Sequence, residues 1–237
     1  MTEAQGANYR KIFMAQFSDL PRDVRASAAR TAENPALYAL CYDPDPMVIN
    51  SLLNNMMCGL EHARLIAAHH QHSAGLSKMA EKAQFARDSQ VRRFLLRNVQ
   101  TPETVLRKIL NPLALRQVYQ ANLSRENSER AKRILKKTLR TKFQQSSAEE
   151  RVNLITKTEA RCLNMLVGLN FDNKTTALLC RRAYHSSLAV QNFARFPATP
   201  PALIKHLLRQ QIVRRTPVLR QKLTRHANCP SDLKRAQ

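Results

Sequence analysis

Arg97-Asn98-Val99-Gln100-Thr101-Pro102-Glu103-Thr104-Val105-Leu106 is the stretch on which the fold turns, because its spelling returns along the chain. Arg195-Phe196-Pro197-Ala198-Thr199-Pro200-Pro201-Ala202-Leu203-Ile204 repeats its order of basic residue, turn residues, threonine, proline and apolar pair. His226-Ala227-Asn228-Cys229-Pro230-Ser231-Asp232-Leu233 follows it with Cys229 in the place of the threonine and a single Leu233 for the apolar pair, and His69-His70-Gln71-His72-Ser73-Ala74-Gly75-Leu76 is a weaker copy in which His69 stands where Asn98 and His226 stand. Each copy reads as the start of a helix: the Thr101 hydroxyl is placed to cap free amides, while Pro102 occupies the first turn with no hydrogen bond lost. Ser73 to Pro102 and Pro201 to Pro230 are 29 residues each, and Pro102 to Pro201 is 99, three units of 33. Arg25, Arg92 and Arg220 each stand ten residues before a proline and follow an apolar residue (Val24, Val91, Leu219), and at the 99-residue offset Val91 and Phe94 fall on Val190 and Phe193. Self-similarity at this period, with two helices per unit, is the signature of stacked helical repeats.

Between these starts the apolar residues keep helical time. In 129–143, Ala131, Ile134, Leu135, Thr138, Leu139 and Phe143 recur at steps of three and four and make one apolar stripe. The same amphipathic pattern predicts helices over 46–57, 90–99, 102–109, 148–167, 175–184 and 201–211, and alternating strand patterns are hard to find. Four glycines in 237 residues exclude the Gly-rich phosphate loops, the dinucleotide fingerprint and the nucleophile elbow. The fold expected is all-α: an α-solenoid of two-helix repeats in a right-angled superhelix, filling 1–237 as one repeat domain. Its parts are an N-terminal cap at 1–20, repeats at 21–111, diverged helical repeats at 112–184 and C-terminal repeats at 185–237.

The repeats resemble those of HEAT-like α-solenoids, and among them the leucine-rich-repeat-variant style of unit. Asp88-Ser89-Gln90-Val91-Arg92-Arg93 and Asp23-Val24-Arg25 are similar to the aspartate, valine, arginine signature of HEAT-like units. Residues 98–106 and 227–233 are similar to the asparagine, threonine-proline, leucine portion of the variant units. The likeness covers 20–50, 60–110 and 185–237. Some members of the variant group carry an iron-sulfur cluster on an N-terminal cysteine cluster that this chain lacks. Other HEAT-like proteins are DNA glycosylases whose site relies on tryptophans and an acidic residue, and this chain has no tryptophan.

Charge supplies the functional argument. Lys and Arg number 39 against 17 Asp and Glu, a formal charge of +22, in a chain whose 43% hydrophobic content is ordinary for a folded protein. Residues 1–80 are net zero, 81–160 carry +10 and 161–237 carry +12. A general solubility device would spread the charge; this gradient places a polyanion-binding surface on the C-terminal two thirds. The residues expected to carry it are Arg92, Arg93, Arg97, Arg130, Arg133, Lys136, Lys137, Arg140, Arg181, Arg182, Arg214, Arg215 and Arg220. On the 129–143 helix, Arg130, Arg133, Lys137 and Arg140 share a face whose like charges disfavour an isolated helix, so phosphate binding is set against a merely solvated face.

Other chemistries find less support. Cys58, His62, His69, His70 and His72 cluster without a carboxylate at ligand spacing, and the turn position of His69 suits a structural histidine, so no metal and no cofactor are expected. Five scattered cysteines read as reduced, buried small hydrophobes. Asp43, Asp45, Glu149, Glu150, Asp172 and Asp232 all sit near helix starts, where negative charge suits the dipole. Tyr119 and Tyr184 are candidates for base stacking or for helix packing. The reading is a non-enzymatic, cytoplasmic binding protein with no membrane span and no signal peptide in 1–10. Its partner is the nucleic-acid phosphate backbone. An acidic protein partner is the alternative, a small anionic nucleotide a variant of the same chemistry, and a HEAT-like DNA glycosylase a third reading.

Overall fold

A computed structural model describes residues 3–234. Those residues hold 18 α-helices, a short 3-10 helix and no strand. In chain order the helices are α1 (Glu3–Gln16), α2 (Arg22–Thr31), α3 (Ala36–Leu40), α4 (Pro46–Leu53), α5 (Leu60–His69) and α6 (Ser73–Glu81). There follow α7 (Ala83–Ala86), α8 (Ser89–Arg97), α9 (Glu103–Leu110), α10 (Leu115–Asn122), α11 (Glu129–Gln145) and α12 (Ala148–Lys157). After the 3-10 helix Arg161–Met165 come α13 (Asn173–Cys180), α14 (Ser187–Arg195), α15 (Pro201–Leu208), α16 (Gln211–Arg214), α17 (Pro217–Thr224) and α18 (Ser231–Lys234). The first two and last three residues of the expected cap and C-terminal repeats lie outside the described residues.

The chain gathers into two compact units. One comprises the chain up to Leu113 with Ala121–Leu135; the other comprises Ala114–Gln120 with everything from Lys136. In the first, α2 packs on α4, α4 on α6, α6 on α9, and α5 on α8. In the second, α12 packs on α13, α13 on α15, and α14 on α17. Fully buried Leu37, Leu40, Ile49, Leu52, Ile66, Leu76 and Met79 core the first, and Phe143, Ile155, Phe193, Leu203 and Leu207 the second. Four of the five free cysteines are buried among them, and burial raises the thiols of Cys58 and Cys162 to about 11.

A side-chain device recurs at the helix ends. Asn55, just past α4, donates Nδ2 to the carbonyls of Ala29 and Ala32 at the end of α2, and its Oδ1 accepts the Met57 amide. Asn98, just past α8, donates to the carbonyls of Ala67 and His70 at the end of α5, and accepts the Gln100 amide. Beyond α17 the work is divided: His226 Nε2 lies 2.9 Å from the Phe196 carbonyl and its Nδ1 accepts the Asn228 amide, while Asn228 Nδ2 donates to the carbonyls of Pro197 and Thr199. In all three cases the residue clamps the end of the helix against which its own helix packs. Orphan carbonyls at those ends are thereby satisfied, and two helices are fixed in register. His226 does take the place of Asn98, as the spelling predicts. In the weaker copy the match is His70 rather than His69: His70 caps α5 and bonds back through Nδ1 to the Asp43 carbonyl at 3.2 Å.

The recurring geometry extends to two of the arginines ahead of the prolines, for both Arg25 and Arg92 send Nη1 2.7 Å to the carbonyl five residues earlier, Leu20 and Arg87. The helix pairs α8–α9 and α14–α15 begin 98 residues apart, one fewer than the proline spacing, because Pro102 and Pro200 take the cap position and Pro201 the first turn. Thr101 therefore does not cap. Its hydroxyl is buried with no hydrogen-bond partner among the described residues, whereas the matching Thr199 donates to the Phe193 carbonyl at 2.7 Å.

Two further expectations change. The stretch 148–167 is not one helix: α12 starts on the Ser147–Glu150 capping box but ends at Lys157, where Glu159 (φ 48°) and Ala160 (φ 60°) turn left-handed. The amide of Ala160 reaches the carbonyl of Ile155 and that of Glu159 the carbonyl of Thr156, a Schellman closure with glutamate where glycine is usual. Helix α4 stops at Leu53, short of Met57, because Asn54 and Asn55 turn the chain to make the clamp.

Candidate anion-binding surface

In the N-terminal unit most of the expected cations already have protein partners. Arg93 and Arg97, one turn apart on α8, both face Glu126. Arg92 is tied to the Arg87 carbonyl, and Arg130 reaches the Thr101 carbonyl at 3.1 Å. These arginines organise loops between helices. Arg133 is exposed and enters no ion pair among the described residues.

The C-terminal unit is different. Arg140 is partly spent on structure, its Nη1 2.6 Å from the Val167 carbonyl. Lys136 and Lys137 are exposed on α11. From Asn173 to Ser231 the chain has no Asp or Glu. Over the same span Arg181, Arg182, Lys205, Arg209, Arg214, Arg215, Lys222 and Arg225 are exposed and form no ion pair among the described residues. Arg181, Arg209, Arg215 and Arg225 each follow the last residue of α13, α15, α16 and α17. A cation there stabilises a helix by about 0.3–1 kcal/mol through the dipole. That accounts for their ends of helices but leaves their charge unneutralised.

Four cations meet around one hollow of about 370 Å³. Lys205 and Arg209 come from the end of α15, Arg214 from α16 and Arg220 from α17, with Thr224 and the apolar Leu208 and Leu233 completing the wall. Arg220 sits in the first turn of α17, where the helix dipole disfavours a cation. Two of these four, Lys205 and Arg209, were not among the residues expected from sequence, because they are single cations rather than pairs and only the folding back of α16 and α17 brings them beside Arg214.

The acidic residues of the unit are occupied. Asp172 caps α13 by accepting the Thr175 amide at 2.6 Å and pairs with Arg151 at 2.7 Å; hydrogen bonding from Thr175 and the Arg151 guanidinium hold its carboxyl below the usual range. Glu149 pairs with Lys174, and Asp232 opens α18. Neither Asp172 nor Asp232 lines the hollow. Glu159 lines a separate cavity of about 380 Å³ with Arg182, Tyr184, His185 and Ser186, and accepts the Ser186 hydroxyl at 2.7 Å.

Tyr119 and Tyr184 are packing residues. Both are buried, and Tyr184 donates its hydroxyl to the Leu179 carbonyl and meets Phe193 edge-on. The histidines serve structure: His62 accepts the Gly59 amide on Nδ1 and faces Asn34 through Nε2, and His72 caps α6. No group of three or more His, Cys, Asp or Glu among the described residues could hold a metal ion, and no helix among them is long and apolar enough to cross a membrane. Searches of protein-family models, curated proteins and solved structures return no match to the chain.

Proposed function

We propose that this is a non-enzymatic helical-repeat protein, built of HEAT-like units of the leucine-rich-repeat-variant style, whose C-terminal unit binds the phosphate backbone of nucleic acid. The Asn55 and Asn98 clamps with the Arg25 and Arg92 hooks support the repeat reading in the first unit, and the His226–Asn228 clamp supports it in the second. The observation that carries the function is the span 173–231, which has no Asp or Glu and in which Arg195 and the eight cations named above are exposed and outside any ion pair among the described residues. Burial of Tyr119 and Tyr184 withdraws the two stacking candidates, which favours backbone contact over base stacking. A glycosylase would need an available carboxylate on this face; Asp172 is committed to its cap and to Arg151, and Glu159 pairs with Arg161 and accepts the Ser186 hydroxyl.

A gel shift across a salt series tests the reading. Each cation that neutralises a duplex phosphate contributes about −0.9 to the slope of log K against log salt. Reversing Arg181, Arg182 and Arg215 to Glu should weaken binding severely and flatten that slope. Reversing Arg93 and Arg97 should act mainly on stability, since Glu126 already holds both. Undiminished affinity after the first set of changes would sink the proposal and favour an acidic protein as the partner.

A further inference from the structure

We infer that the hollow formed by Lys205, Arg209, Arg214 and Arg220 receives a terminal phosphate monoester, so that the C-terminal unit grips a nucleic-acid strand by its phosphorylated end; this rests on the nucleic-acid reading above. Internal phosphates are diesters with one negative charge each, laid out at intervals along the strand. Cations strung along a surface match that pattern. Four cations around one hollow match charge gathered at one point, and a phosphate monoester gathers about −1.5 to −2 on three free oxygens at pH 7.

The geometry agrees with the charge. Three of the four are arginines, whose planar forks bind phosphate oxygens two at a time. Arg220 stands in the first turn of α17 on the wall of the hollow. A space of about 370 Å³ exceeds a phosphate group and leaves room for the sugar that carries it, while Leu208 and Leu233 offer that sugar an apolar wall. No carboxylate of the described residues lines the space.

The same chemistry is offered by a strand end, a free nucleotide or inorganic phosphate, and the experiment separates them. Fluorescence anisotropy of the full chain is measured with one oligonucleotide carrying either a 5′-phosphate or a 5′-hydroxyl, at fixed salt and pH 7.5. The phosphorylated end should bind about tenfold tighter, the scale of one or two charge-assisted hydrogen bonds. Arg209→Gln and Lys205→Gln should shrink the ratio of the two affinities, while Arg181→Gln should lower both affinities and keep the ratio. Equal affinities for the two oligonucleotides would overturn the inference and leave the backbone reading standing; failure to bind either would strike the backbone reading itself. A nucleoside 5′-monophosphate or inorganic phosphate that competes at the affinity of the phosphorylated strand would assign the hollow to a small anion and overturn the strand-end role.

Discussion

Asn98 lies across the end of α5, its Nδ2 2.9 Å from the carbonyl oxygen of His70 and 3.0 Å from that of Ala67. One side chain thus satisfies two carbonyls that no helix can, and its Oδ1 closes its own turn on Gln100. Asn98→Ala should cost about 2–3 kcal/mol, because buried acceptors lose their donor and nothing replaces it. Urea denaturation measures this, with the exposed Asn50→Ala on α4 as a comparison expected to stay within about 0.5 kcal/mol.

Gly75 makes room for a ring. A Cβ on Gly75 would stand 2.2 Å from Nε2 of buried His70, so Gly75→Ala forces that ring away from its bond to the Asp43 carbonyl. A loss of about 1–3 kcal/mol is expected, the usual cost of overpacking. His70→Ala in the same chain should recover part of it, which a double-mutant cycle reads as coupling.

Arg25 and Asp43 form the most enclosed ion pair among the described residues, 2.6 Å apart with the Asp43 side chain fully buried. Arg25 also holds the Leu20 carbonyl, so it fastens the start of α2 to the turn before α4. Hydrogen bonding to Asp43 raises the guanidinium pKa. Asp43→Ala should destabilise by about 3–5 kcal/mol, since it strands a charge. Arg25→Lys keeps the charge but loses the two-pronged contact, and should fall between that variant and the wild type in chemical denaturation.

Acid should act in two stages. Burial holds His62, His69 and His70 below the ordinary 6.5. The unfolded chain then binds more protons than the folded one, so their contribution is full above pH 6.5 and declines as pH falls through it. The bonds agree: a proton on Nδ1 of His62 would break its contact with the Gly59 amide. Asp88, held below 3.8 by Arg64, and Asp172 lose their contribution only under stronger acid. The urea midpoint should drop between pH 7 and 5, and His62→Gln with His70→Gln should flatten that drop.

What the sequence revealed and what it concealed follow from range. The apolar stripe of α11 was legible because Ala131, Ile134, Leu135, Leu139 and Phe143 are spaced by the helix itself, and all are buried. The helix starts were legible because proline and threonine act locally. The end of α12 was hidden because its left-handed position is Glu159, and glutamate carries none of glycine's signal. Among the cations, adjacent pairs drew notice, yet partners came from far along the chain: Glu126 reaches Arg97 across 29 residues. The hollow was hidden for the same reason, since Lys205 and Arg220 meet only through the turns at Arg209 and Arg215.

The carboxylate-free span from Asn173 to Ser231 leaves this half of the molecule unable to neutralise itself. Anions of the solution would screen the excess positive charge that this span leaves. Added salt should raise its melting temperature by screening the mutual repulsion of α13 to α17, and should weaken strand binding if the proposed function holds. A bound polyanion would then act as an external half of the fold, and thermal stability would report occupancy.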